Sequence, residues 1–203
     1  MERNLTEEKI IQSAEEIFLE KGFDGARMRE ISERAGINKG LLHYYFKGKD
    51  KLFERIFYTA FNRMIGRMDQ LIEQDIPIDE KMSLFVDRYL DFLEKHPSLP
   101  RFLMYEMTRK GQTFVDSFTI HMKTPAIDSL KRQVNEAVAA GKMEPFDVEH
   151  LLVNTIALCV FPFIAKPMLE VMLNKDDSGY KQLLAGRREQ IKTVLSQSIQ
   201  MIS

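Results

Sequence analysis

The chain has 203 residues, 44% hydrophobic and 29% charged, with 29 basic against 30 acidic residues and a formal net charge of -1. Such a length suits one or two compact domains with a filled core. The near-cancelling charge excludes a uniformly basic protein that coats nucleic acid, so any nucleic-acid surface must be local. The single cysteine, Cys159, excludes an internal disulfide framework and a multi-cysteine zinc site, and within ALCVFPF it reads as a small core residue.

The opening MERNLTEEK lacks the apolar run of a secretory signal. No stretch supplies the roughly 18 apolar residues of a membrane span, so the expected compartment is the cytoplasm, without a membrane partner. Prolines and glycines are few, 7 and 10, and the apolar residues between them recur at steps of three and four, which predicts an all-α fold. The first helix is expected over about residues 6 to 21: Thr6 caps it, Glu7 and Glu8 suit its positive end, Ile10, Ala14, Ile17 and Phe18 share a stripe, and Gly22 stops it. A short second helix runs from Met28 to Ala35, followed by Gly36 where a left-handed residue belongs. Asn38 caps a third, from Lys39 to about Tyr45. Helix, glycine turn and short second helix together have the spacing of a helix-turn-helix.

A long stripe then starts near Asp50 and includes Leu52, Phe53, Ile56, Phe57, Met64, Met68 and Leu71 before Pro77 ends it. At 1.5 Å per residue that helix is roughly 35 Å long. Further helices are expected over 79–95, 98–109, 113–140, 147–173 and 179–202, with breaks at HP, KG, GKMEP and NKDDSG. The domain boundary is expected within the long helix, giving an N-terminal part of residues 1–57 and a C-terminal part of residues 58–203.

Between Lys21 and Lys51 stand eight basic residues (Lys21, Arg27, Arg29, Arg34, Lys39, Lys47, Lys49, Lys51) and four acidic ones (Asp24, Glu30, Glu33, Asp50), a basic patch inside a neutral chain. The third helix opens with Lys39, which can reach a base edge or phosphate, and Gly40, which lets backbone approach a groove floor. His43 and Tyr44 can donate to phosphates, and Lys49 stands where the long helix begins. Arg27, Arg29, Asn38 and Leu41 are the other candidates for contact with double-stranded DNA.

The segment from Phe18 to Phe53, FLEKGFDGARMREISERAGINKGLLHYYFKGKDKLF, resembles the DNA-binding domain of the tetracycline-repressor (TetR) family. Phe18, Gly22, Phe23, Ala26, Ile31, Ala35, Gly36, Ile37, Lys39, Gly40, Leu42, Tyr44, Phe46, Lys49 and Leu52 occupy its motif positions. The resemblance implies a homodimeric transcriptional regulator with an N-terminal helix-turn-helix domain, joined by the long helix to a helical domain that binds a small-molecule effector. Arg27 departs from the pattern. The family has Thr or Ser there to cap the second helix, and arginine cannot accept a cap hydrogen bond.

Beyond the long helix, Met and Phe are abundant, 12 and 14 in the chain, a mixture that lines adaptable pockets and also fills ordinary cores. The expected effector pocket lies between the long helix, Arg101, Met104 and Tyr105, then Phe114, Phe118, His121 and Met122, and the FPF segment with Phe161 and Phe163. Pro162 and Pro167 each lack an N–H, leaving the carbonyls of Leu158 and Phe163 to be satisfied otherwise. Leu184, Ile191, Val194, Leu195, Ile199 and Ile202 make a stripe that is expected to be the dimer face. No nucleotide-binding glycine motif, zinc-protease motif or nucleophile elbow is present, and the four histidines form no metal-spaced pair. Neither enzyme activity nor a cofactor or metal is expected. A DNA-binding protein of architectural type, without an effector, is the competing expectation, favoured by a C-terminal core without a cavity.

Overall fold

A computed structural model describes residues 2–119 and 126–199, with side chains over 5–116 and 126–199. Among these residues the chain forms eleven helices and no strand: α1 (Glu2–Gly25), α2 (Met28–Arg34), α3 (Lys39–Tyr45), α4 (Lys49–Ile72), α5 (Ile78–Lys95), α6 (Leu99–Lys110), α7 (Gln112–Thr119), α8 (Ala126–Ala139), α9 (Val148–Ile164), α10 (Lys166–Met172) and α11 (Asp177–Ser198). They divide into two compact units. The first comprises Met1–Arg63 with Lys95–Leu99, the second Met64–Glu94 with Pro100–Ser203. α4 begins in the first unit and ends in the second.

In the first unit, α1 runs to Gly25, but Gly22 interrupts it with φ 69° and ψ 178°, conformations open to glycine at little cost. The core is Ile10, Ala14, Ile17, Ala26, Ile31, Leu42, Leu52 and Phe57, all buried. Phe53 joins α4 to α1 edge-on, with ring centroids 4.8 Å from Phe18 and 4.9 Å from Phe23. Such aromatic pairs contribute about 0.5–1.5 kcal/mol each beyond their buried area.

The second unit is built on a continuous apolar core that includes Met82, Val86 and Leu90 of α5, Leu130 and Val134 of α8, Leu151, Cys159 and Phe163 of α9, and Ile191 and Leu195 of α11. The residues expected as one helix over 147–173 form two, α9 and α10, bent by 77°. The two prolines explain the break: Pro167 belongs to the first turn of α10, where a missing N–H costs nothing. Pro162 lies inside α9, and the carbonyl it leaves open, that of Leu158, receives Arg187 Nη2 of α11 at 3.5 Å. The carbonyl of Pro162 itself accepts the hydroxyl of buried Tyr180 at 2.6 Å. The stretch expected as one helix over 113–140 is described as α7 and α8. No single helix among the described residues is long and apolar enough to cross a membrane.

Two charged side chains are buried without a signal in the net charge. Lys81, 2% exposed, donates to the carbonyl of Ile72 at 2.8 Å and to Gln133 Oε1, capping the last turn of α4 from α5 and α8. Desolvation holds its pKa below that of a free lysine. Glu106, 1% exposed, is clamped by Arg109 at 2.8 Å and Lys110 at 2.5 Å. Burial pushes its carboxyl up, the hydrogen bonds from Lys110 and Arg109 pull it down, and the net direction is down.

Candidate nucleic-acid interface

The helix-turn-helix forms because the end of α2 and the start of α3 are both closed. α2 ends in a glycine-based Schellman motif: Gly36 sits at φ 67°, its N–H bonds to the Glu33 carbonyl at 3.2 Å, and the Ile37 N–H bonds to Ser32 at 3.0 Å. α3 starts at Asn38, whose Oδ1 accepts the Leu41 N–H at 2.7 Å. An Asn cap of this kind stabilises a helix start by about 1 kcal/mol. A Cβ added to Gly40 would come within 3.3 Å of that Oδ1, so glycine keeps the cap undisturbed.

α3 turns Leu42 fully inward and leaves Lys39, Gly40, Leu41, His43 and Tyr44 outward, with Tyr44 66% exposed. The Tyr45 ring is half-buried and meets Tyr44 edge-on at 5.6 Å. The outward row is therefore the set that the helix-turn-helix reading assigned to DNA, with Arg27, Arg29 and Asn38 exposed as well.

Many of the basic side chains of this unit are engaged by the protein itself. Arg34 grips Glu20 in a fork, 2.7 and 2.9 Å, Lys21 pairs with Glu30 at 3.0 Å, Arg29 with Glu33 at 2.8 Å, and Lys51 with Glu54 at 2.8 Å. The hydrogen bonds from Arg34 and Lys21 hold the Glu20 and Glu30 carboxyls below the ordinary range. Lys49, half-buried, turns back over the protein: its ammonium lies 4.5 Å from the Phe23 ring centroid and reaches the carbonyls of Ala26 and Asp24 at 3.3 and 3.4 Å. Sequence reasoning placed Lys49 at the start of α4 but could not see that acceptors from the end of α1 converge on it.

Arg27 is the N-cap of α2 and makes no side-chain cap hydrogen bond, as its chemistry requires. A small cleft in the same unit, about 30 Å³, is lined by Phe18, Leu19, Phe53, Ile56 and the Lys95–Leu99 turn. A water needs about 10–15 Å³ of such space, so the cleft has room for water and not for an effector.

In the second unit the expected effector residues are divided between surface and interior. α6 turns Phe102 and Glu106 inward, which leaves Arg101, Met104 and Tyr105 exposed. α9 turns Pro162 and Phe163 inward, which leaves Phe161 51% exposed, whereas Phe114 and Phe163 are buried. The side chain of Phe118, and His121, Met122 and Ile202, lie outside the described residues. Of the expected dimer stripe, Ile191, Leu195 and Ile199 are buried in the chain's own core, and Leu184 packs against it. Among the described residues of that stripe, Val194 alone is well exposed. α9 instead carries exposed Val153, Ile156 and Phe161.

A helix-turn-helix with an outward row of polar and basic side chains, followed by a helical bundle, defines a DNA-binding regulator. The first part matches the family model "Bacterial regulatory proteins, tetR family" over residues 10–56, and residues 79–194 match "Tetracyclin repressor-like, C-terminal domain". The chain belongs to the TetR family of transcriptional regulators. Among curated proteins it is 24% identical over 140 residues to the uncharacterized HTH-type regulator YhgD of Bacillus subtilis, covering 69% of this chain and 73% of that one. Its fold is similar to that of a TetR regulator from Haloarcula marismortui (TM-score 0.63, 20% identity, 97% of this chain and 100% of that one). It is also similar to that of FadR from B. subtilis, solved with stearoyl-CoA (TM-score 0.58, 20% identity, 90% of this chain and 96% of that one).

Proposed function

We propose that this chain is a cytoplasmic repressor that pairs as a homodimer, reads a pseudo-palindromic operator with α3 of each copy, and releases it when a small hydrophobic effector binds the second unit. The observation that carries the reading is the outward row of α3, held in place by the Asn38 cap and the Gly36 turn. In a two-fold protein the two α3 helices enter major grooves about one helical turn apart. α4 supplies the link, since one helix of 24 residues belongs to both units. An effector that shifts its distal end changes the separation of the two heads, and a change of a few ångströms prevents both half-sites from binding together. FadR, solved with stearoyl-CoA, supports a hydrophobic effector for a bundle of this shape. The helix-turn-helix head is assigned to about residues 1–57 and effector binding and pairing to residues 58–203.

We take Val153, Ile156 and Phe161 of α9 with Val194 of α11, all exposed, as the pairing surface; α10 also exposes Met168, Val171 and Met172. The DNA assignment is tested by recovering an operator from genomic fragments retained by the purified protein and titrating Lys39→Ala against operator and scrambled duplexes. If Lys39 reads a base edge, the substitution costs about 1–3 kcal/mol on the operator and narrows the gap to scrambled DNA. Equal loss on both duplexes would reduce Lys39 to a phosphate anchor. Compounds that release the retained fragment then identify the effector, and failure of every hydrophobic class to do so would favour the effector-independent reading.

A further inference from the structure

α4 ends without the glycine or asparagine that commonly closes a helix: Glu73, Gln74 and Asp75 follow Ile72. The carbonyl of its last residue is closed from two other helices instead. The Ile72 oxygen accepts Lys81 Nζ of α5 at 2.8 Å and Gln133 Nε2 of α8 at 3.0 Å, and the same ammonium donates to Gln133 Oε1. The three bonds close a ring. Ser129, buried one turn earlier on α8, accepts a further hydrogen bond from Gln133 Nε2 at 3.2 Å, which fixes the amide. Lys81 is 2% exposed and donates to two neutral oxygens. A buried ammonium on neutral acceptors is costly, although the negative end of a helix favours it. A cap alone would need neither a charge nor a second helix.

We infer that this ring anchors the far end of α4, so that Lys81 and Gln133, both in the second unit, set which separation of half-sites the protein accepts. The inference rests on the two-headed reading of the operator proposed above. As a lever turning where it passes from one unit to the other, α4 has a short arm of roughly 13 Å to Ile72 and a long arm of roughly 22 Å to Lys49, at about 1.5 Å per residue. A sideways shift of about 2 Å at Ile72 breaks both hydrogen bonds to its carbonyl. The long arm turns that shift into roughly 3.4 Å at the head, about one base-pair step along DNA. Holding the short arm in place therefore holds the head to a single spacing.

The test uses the full chain and the duplex retained from genomic fragments, with its half-sites moved one base pair closer or further apart, together with a single half-site. Lys81→Met combined with Gln133→Met replaces the ring by apolar side chains of similar length, an exchange that a core tolerates better than the loss of one partner. Respacing forfeits part of the gain of two-headed binding, so the unaltered protein is expected to lose about tenfold in affinity or more. The double variant is expected to lose no more than about threefold, with its affinity for the single half-site unchanged. Val86→Ala, a cavity in the same core, should lower Tm and leave the spacing profile as it is. A double variant that keeps the sharp profile overturns the inference, as does a profile relaxed equally in Val86→Ala. Should the double variant fail to fold, Gln133→Met alone, which leaves Lys81 on the Ile72 carbonyl, is expected to relax the profile part-way, and an unrelaxed one overturns the inference. If the unaltered protein shows no spacing preference, the two-headed reading itself fails and this inference with it.

Discussion

Replacing Lys49 by Met separates two roles that one ammonium can play, phosphate contact or internal latch. In the structure Lys49 bridges the start of α4 to the end of α1. Its hydrogen bonds to Ala26 and Asp24 are long, 3.3 and 3.4 Å, and its ammonium is 4.5 Å from the Phe23 ring centroid. Well-formed hydrogen bonds to a charged group contribute about 1.5–3 kcal/mol, but these are stretched and half-solvated, so about 0.5 kcal/mol each is the fitting scale. A cation–π contact at such a site adds about 0.5–1 kcal/mol. Lys49→Met is therefore expected to destabilise the protein by about 1–2 kcal/mol, a fall in Tm of roughly 2–8 °C at this chain length. The salt slope of binding to random duplex DNA should stay that of the unaltered protein. Thermal unfolding and DNA titration on one preparation decide the matter. An unchanged Tm with a slope flattened by about 0.9 per half-site would refute the latch and restore Lys49 as a phosphate contact.

The dimer surface is tested by contrast: Ile156→Asp should give a folded monomer in sedimentation, whereas Ile191→Ala should cost about 2–5 kcal/mol in denaturant unfolding, as a cavity in the core does. A dimer persisting in Ile156→Asp would move the interface off α9. Asp177 should show itself in acid, because hydrogen bonds from Lys166 and Lys181 lower its pKa from 3.8 to about 2. A depressed carboxylate pKa adds stability that is fully present above the unfolded value, about pH 4, and is lost as pH falls through about 2. Asp177→Asn should remove that part of the acid-unfolding curve, followed by circular dichroism, and an unaltered curve would count against the pairing. Cys159, whose thiol burial pushes up to about 12, should resist maleimide in the native protein and react once denatured; rapid native labelling would mean that the core around it opens.

What the sequence made legible follows from how local each determinant is. α2 and α3 were readable almost to the residue, because Gly36 and Asn38 act within one turn of the helix they close. The long helix was equally plain, since its apolar stripe has one period over 24 residues. The break between α9 and α10 was half visible: the prolines announced missing hydrogen bonds, but the 77° bend depends on what α11 presents to them. On α11, periodicity marks an apolar face without saying whether the same chain or a second copy covers it. Ile191 and Leu195 proved to be covered by the same chain. Lys81 and Glu106 were missed because a charge reads as solvent-facing. Their one signal was helical spacing, Lys81 three residues after Ile78 and Glu106 four after Phe102 on inward faces.

The junction at Pro162 bears on how the bundle keeps its alignment. Apolar packing between α9 and α11 adheres without direction, and a helix could slide or rotate against such a surface with modest loss. Arg187 and Tyr180 remove that freedom, since both reach carbonyls within a few residues of each other on α9. A slip of one turn would strip both acceptors at once, and losing the buried one at Pro162 alone costs about 1–3 kcal/mol. The proline that weakens α9 as a helix thus supplies the notch that sets its register against α11, and a shift transmitted through this pair of helices must move them together rather than past one another.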